Sequence, residues 1–151
     1  MSIRTGRNLG AKGGLLAVAL AVAAVLAPTP ASADGALAVG VPADVSKDGF
    51  AYGRNVNSPT EQAARERALQ LCRTAKDSSD AARNLCTVVM SFHRQCVSVA
   101  MDPAAGTPGV GWAVAPTREA AEQQALSNCI ATAGPARQQY CVKSDSACDG
   151  Q

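Results

Sequence analysis

Aromatic residues are scarce: the 151-residue chain has two Phe, two Tyr and one Trp, 3% of the total. A core built on rings is thereby excluded, and packing has to rest on small aliphatic side chains. His93 is the one histidine, so no cluster of imidazoles can form a metal site. None of the six cysteines forms a C-x-x-C pair, which removes both tetrahedral zinc spacing and a thioredoxin-type redox motif. No G-x-S-x-G is present, so the strand-turn-helix nucleophile elbow is missing. No cofactor motif occurs, and no cofactor is expected.

What is present begins with a targeting pattern. Arg4, Arg7 and Lys12 form a basic start, residues 14–26 form a charge-free apolar run of 13, and Ala31-Ser32-Ala33 supplies a small-x-small site ahead of Asp34. That order is the signature of a secretory signal peptide, and the run is shorter than the ~20 residues a spanning helix needs. Residues 1–33 are therefore expected to be cut away by a bacterial-type export pathway, leaving no membrane span. Arg4 and Arg7 are not adjacent, which argues for general rather than twin-arginine export. No cysteine near the cut would take a lipid.

Cleavage changes the charge. The chain carries 14 basic and 12 acidic residues; three of the basic ones lie in the leader, so residues 34–151 hold 11 against 12, a net −1. No basic stripe remains, so no nucleic-acid partner is expected. The remaining length suits a single domain. Its expected compartment is the periplasm or the extracellular space. All six cysteines, Cys72, Cys86, Cys96, Cys129, Cys141 and Cys148, lie in this part, and an even count in an exported chain of this size reads as disulfides.

A repeat at an offset of 57 organises the domain. Residues 58–72 (SPTEQAARERALQLC) and 115–129 (APTREAAEQQALSNC) share Pro-Thr, Ala-Ala, Ala-Leu and the final Cys without a gap. Each copy reads as a helix. Ser58 is the expected N-cap, with Pro59 at the first helical position and Glu61 closing a capping box; in the second copy Thr117 takes over as cap. Ala64, Ala68, Leu71 and Cys72 are expected to share one face, as are Ala121, Ala125 and Cys129, and these faces are small enough for close packing on a sheet. Alternating apolar residues before the helices (Phe50, Tyr52, Val56; Val110, Trp112, Val114) predict strands. Residues 35–40, 86–91, 96–101 and 140–144 predict four more. Val56 stands one residue further from its Pro than Val114 does, which a bulge would absorb.

The expected fold is α+β: two β-β-α-β halves (about 35–91 and 95–148) forming an antiparallel sheet with both helices on one face. The repeat places Cys72 and Cys129 at helix ends and Cys86 and Cys141 at the strands that follow, so Cys72–Cys86 and Cys129–Cys141 are the expected local bridges. Cys96 and Cys148 are left to tie the halves together.

These features resemble the bacterial family described as domain of unknown function 4189. The residues that carry the likeness are the segment 35–40 (GALAVG), Pro59-Thr60 leading to Cys72, Cys86-Thr87-Val88-Val89, and the segment 109–117 (GVGWAVAPT) leading to Cys129. The chain departs from the family pattern in a longer 72–86 segment and in Asn55, where an aromatic residue is expected. The resemblance implies an exported, duplicated, disulfide-rich domain. Some mycobacterial members look like exported proteins that act on host cells. The family offers no catalytic motif to carry over.

The residues themselves leave little room for catalysis. His93 would need a serine such as Ser91 or Ser98 and an acid such as Asp102. Glu61 with Glu66, and Glu119 with Glu122, sit on Arg- and Gln-rich helices and read as solvated faces rather than glycosidase pairs. No catalytic residue is assigned. Trp112 reads either as a core residue of the second half or as an anchor in a recognition site, where aromatic residues are enriched. The leading expectation is a non-enzymatic interaction module with a protein partner: an inhibitor, an immunity-like protein or a host-directed factor. The alternatives are a small hydrolase around His93 and a structural envelope protein.

Overall fold

The computed structural model describes residues 34–150; the expected leader, residues 1–33, lies outside the described residues. The first half contains β1 (Asp34–Gly40), a short helix α1 (Val45–Asp48), β2 (Ala51–Ser58), α2 (Glu61–Arg73), a short helix α3 (Asp80–Asn84) and β3 (Thr87–His93). The second contains β4 (Cys96–Met101), β5 (Val110–Ala115), α4 (Arg118–Thr132), a 3-10 turn (Gln138–Tyr140) and β6 (Val142–Cys148). The α+β class and the repeated order of elements are as the sequence predicts. The last strand starts later than residue 140 because the 3-10 turn occupies its expected opening.

Two Pro-Thr pairs set the junctions between strand and helix. The residue before a proline is pushed into extended backbone, so Ser58 and Ala115 end strands. Thr60 and Thr117 then cap the helices, each hydroxyl accepting the N–H of the residue three further on, Ala63 and Ala120, at 3.2 Å. The expected cap at Ser58 is thus corrected to Thr60. Ser58 is instead buried at the end of β2, its hydroxyl donating to Asn55.

The strands do not form one sheet. They form two three-stranded antiparallel sheets, ordered β2-β1-β3 and β5-β4-β6, and each draws all its strands from one half of the chain. The reason lies in the central strands, which are apolar on both faces. On one face of β1 and β4, Leu37, Val39, Val97 and Val99 pack together with Phe92, so the sheets meet there. On the other face, Ala36 and Ala38 pack against Ala64, Ala68 and Cys72 of α2, and Ala100 packs against Ala125 and Cys129 of α4. The order is therefore helix, sheet, sheet, helix, and the helices lie on opposite outer faces rather than on one. A single sheet with both helices on one face would leave the valine and leucine face in water, at about 25 cal/mol per Å² of apolar surface.

The contact between helix and sheet is unusually close. Gly53 on β2 and Gly111 on β5 occupy equivalent places, and a Cβ on either would overlap helix backbone: the Cys72 N and Ala68 O atoms for Gly53, the Cys129 N and Ala125 O atoms for Gly111. The expected bulge is also present. Asp34 pairs with Ser58 and Ala36 with Asn55, so Val56 and Asn57 together face Gly35, whereas β5 runs against β4 without a shift.

The bridges are Cys72–Cys86, Cys129–Cys141 and Cys96–Cys148. The first two are the local pairs that the repeat suggests. The third does not tie the halves together: Cys96 and Cys148 face each other across β4 and β6, inside the second half. Polar contacts supplement the apolar seam that joins the halves. Buried Asp149 accepts the backbone N–H of Asn57 at 2.8 Å and of Arg94 at 3.0 Å. These are, among the described residues, the two non-glycine residues with positive φ, 59° and 51°.

Two predictions follow from this packing. Gly53→Ala and Gly111→Ala should each lower the unfolding free energy by roughly 1–3 kcal/mol through overpacking. Denaturant titration measures this, and a loss within about 0.5 kcal/mol would mean that the helices can move off the sheets freely. Among the bridges, sequence separations of 14, 12 and 52 give entropic contributions of about 3, 3 and 4 kcal/mol. Replacing Cys96 and Cys148 together by Ala should therefore destabilise the protein most; a reversed ranking in the same titration would contradict the loop-entropy account.

Candidate functional site

The two edges of the sandwich differ. Where β2 meets β6, Arg54 clasps Asp145 through two parallel bonds, Nε to Oδ2 at 2.6 Å and Nη2 to Oδ1 at 2.8 Å. The bonded carboxylate raises the guanidinium pKa above its ordinary value. Tyr52 and Ser144 hydroxyls lie 3.5 Å apart beside this pair. On the opposite edge, Met90 of β3 and residues 41–45 after β1 stand apart from residues 110–112 of β5. The C-terminal turns of α4 complete the wall, and a groove of about 820 Å³ remains open between the halves.

Trp112 lines this groove and is half-buried. Phe50 stacks on it with centroids 5.8 Å apart and planes 11° from parallel, and Tyr52 stacks on Phe50 at 5.9 Å and 22°. Three of the five aromatic residues of the chain thus form one column. Phe50 does not line the groove, so the column backs the indole and fixes its orientation. The Trp112 ring packs against the seam between the sheets and also lines the groove.

Helix α4 closes the free edge of β5. The Asn128 amide donates to the Trp112 carbonyl at 2.8 Å. The Thr132 hydroxyl accepts the Val110 N–H at 2.9 Å and lies 2.7 Å from the Val110 carbonyl. Outward backbone groups of an edge strand are a template for another strand, and here side chains occupy them.

Asp44 is the one charged residue in the groove lining. It caps α1, with Oδ1 accepting from the Ser46 hydroxyl and from the Lys47 N–H at 3.2 Å. The hydroxyl bond first, then the N–H, holds this carboxyl below its ordinary pKa.

The residues weighed for catalysis do not assemble. His93 is exposed, and its Nδ1 lies 3.1 Å from Asp34 Oδ1, not beside Asp102. Buried Asp102 is held by Arg137, with Nε to Oδ2 at 2.7 Å and Nη2 to Oδ1 at 2.8 Å, and that guanidinium lies 4.2 Å over the Tyr140 ring. The Ser91 hydroxyl accepts from Arg65 at 2.9 Å, and buried Ser98 donates to the Asp145 carbonyl at 3.0 Å. Among the described residues no three His, Cys, Asp or Glu side chains gather as metal ligands.

Sequence reasoning singled out Trp112 but missed Asp44, Met90, Asn128 and Thr132. For two of these a signal existed. Asn128 and Thr132 stand where the first copy has Leu71 and Ala75, so each puts a polar residue where the repeat has an apolar one.

A family model for a domain of unknown function, DUF4189, matches residues 35–148. The chain belongs to the DUF4189 family. No curated protein and no solved structure matches it. The family description assigns no activity, so the function has to be argued from the groove and its surroundings. Among the described residues no helix is long and apolar enough to cross a membrane, and three disulfides with no free cysteine suit an oxidising compartment.

Asp102 gives a pH-dependent prediction. Its bonds to Arg137, first, and to Ala104 hold its pKa below the ordinary carboxylate value. A lowered folded-state pKa contributes stability above the unfolded value of about 3.9, and that contribution is lost as the pH falls further. Asp102→Asn should therefore be less stable than the parent near neutrality, with the gap narrowing below about pH 4. Urea unfolding at a series of pH values checks this, and a gap that is constant with pH would remove the carboxylate from the account.

Proposed function

We propose that the protein is an exported, non-catalytic interaction domain whose recognition site is the groove at Trp112. The observation that carries this reading is the indole held half-exposed by an aromatic stack in a chain otherwise poor in rings. A rigid aromatic residue in a partly apolar concavity is the usual composition of an interface anchor. The engagement of Asp102, Ser91 and Ser98 elsewhere gives His93 no hydroxyl partner, which disfavours the hydrolase alternative.

Export is part of the proposal. The small-x-small site ends at Ala33, and β1 begins at Asp34, so cleavage there would leave every described element intact. The mature chain is assigned to the periplasm or the extracellular medium.

The test uses the exported protein as an immobilised bait for proteins of the same compartment. A partner retained by the parent and by His93→Ala should be lost with Trp112→Ala, whose weakening should reach at least about tenfold, roughly 1.4 kcal/mol. Equal retention by the parent and Trp112→Ala would move the recognition site away from the groove. Loss on His93→Ala alone would restore the hydrolase reading.

A further inference from the structure

We propose that the groove at Trp112 takes a lysine or arginine side chain, flanked by apolar residues, from a partner polypeptide. The inference rests on the groove being the recognition site and adds the chemistry of what enters it.

Three observations converge. The lining is apolar apart from a few polar groups, and the single charge on it is the carboxylate of Asp44. The Ser46 hydroxyl and the Lys47 N–H both donate to Oδ1, and the residue is exposed, so the carboxylate stays within reach of a cation. The same bonds lower its pKa and so favour the ionised form. A groove with one negative charge and no positive one is complementary to an apolar body with a cationic head. The second observation is the indole, whose electron-rich face attracts ammonium and guanidinium groups. Phe50 backs the ring from outside the groove.

The third observation decides the mode of binding. An extended peptide would ordinarily join an open edge by main-chain bonding, but Thr132 occupies the N–H and carbonyl of Val110 and Asn128 the carbonyl of Trp112. Strand addition at these groups is disfavoured, which shifts recognition toward side chains. A groove of about 820 Å³, open between the two halves, has room for a basic side chain and its apolar neighbours. A polypeptide supplies that combination.

The experiment uses fluorescence of Trp112, the one tryptophan of the chain, in the exported protein. The probes are acetyl-Leu-Lys-Leu-amide, its norleucine and glutamate analogues, and hexylamine. The lysine peptide should bind about three- to fivefold tighter than the norleucine peptide, the ratio expected of one partly exposed charge pair. The glutamate peptide should bind most weakly. The preference should shrink as salt is raised. Asp44→Asn should abolish the preference for lysine while leaving norleucine affinity unchanged; asparagine caps helices as well as aspartate does, so α1 is retained.

Equal affinity for the lysine and norleucine peptides, or a preference that survives Asp44→Asn, would overturn the cationic ligand and leave the groove reading intact. Hexylamine binding as tightly as the lysine peptide would overturn the polypeptide in favour of a small amine. If no probe changes Trp112 emission, the groove reading fails together with this one.

Discussion

The structure depends on how closely each helix lies on its sheet. Gly53 and Gly111 let strand and helix backbones touch, and the alanines at positions 64, 68, 121 and 125 keep the facing surfaces flat. Contact at that distance leaves the centres of the two layers between helix and sheet to small side chains, with Leu69, Val88 and Leu126 packed only at their margins. The bulk of the core, Leu37, Val39, Phe92, Val97 and Val99, is thereby displaced into the third layer, between the sheets. Small residues bury little apolar area each, and bridges at both helix ends offset that shortfall. Cys72 and Cys129 are themselves members of the packed helix faces.

Once the halves meet through their larger residues, the edges of the sandwich decide its character. The β2–β6 edge is sealed by Arg54 with Asp145, and the bulge at Asn57 turns its backbone toward Asp149. The residue inserted in the first copy therefore has a structural use: it supplies one of the two N–H groups that Asp149 binds. Among the described residues no comparable clasp spans the β3–β5 edge, where the groove opens. The aromatic column stands between the sealed edge and the open one and belongs to both, since Tyr52 reaches the clasp and Trp112 the groove.

Much of this was legible in the sequence. The duplicated helix copies gave the element order and both local bridges, because a shared Cys at a helix end and another opening the next strand leave short loops to close. The number of sheets was not legible from alternation alone. Residues 35–40 and 96–101 are apolar on both faces, and that pattern fits a strand covered by a helix on one side and a second sheet on the other. The Cys96–Cys148 link was misplaced for the same reason: with β6 paired to β4 in the second half, the two thiols stand opposite each other. The cap moved from Ser58 to Thr60 because the constraint that Pro59 places on its predecessor outweighs the serine's capping preference. Of the groove, Trp112 was visible; Asp44 and Met90 come from segments brought near it only by the meeting of the halves.

The duplication also separates differences that keep structure from those that change it. In the first half Glu61 and Arg65 lie 3.6 Å apart, and Arg65 donates to Ser91. In the second, Arg118 and Glu122 stand at the matching positions with signs reversed, and both bind Ser146. The exchange preserves a charge pair around a strand serine, so the helix is anchored alike in both halves. The change from Leu71 and Ala75 to Asn128 and Thr132 does something else. It places polar side chains on the outward backbone of β5, at the rim of the groove and beside Trp112. This difference reshapes an accessible edge beside Trp112 without altering how the helix packs on its sheet, in keeping with the proposed recognition site.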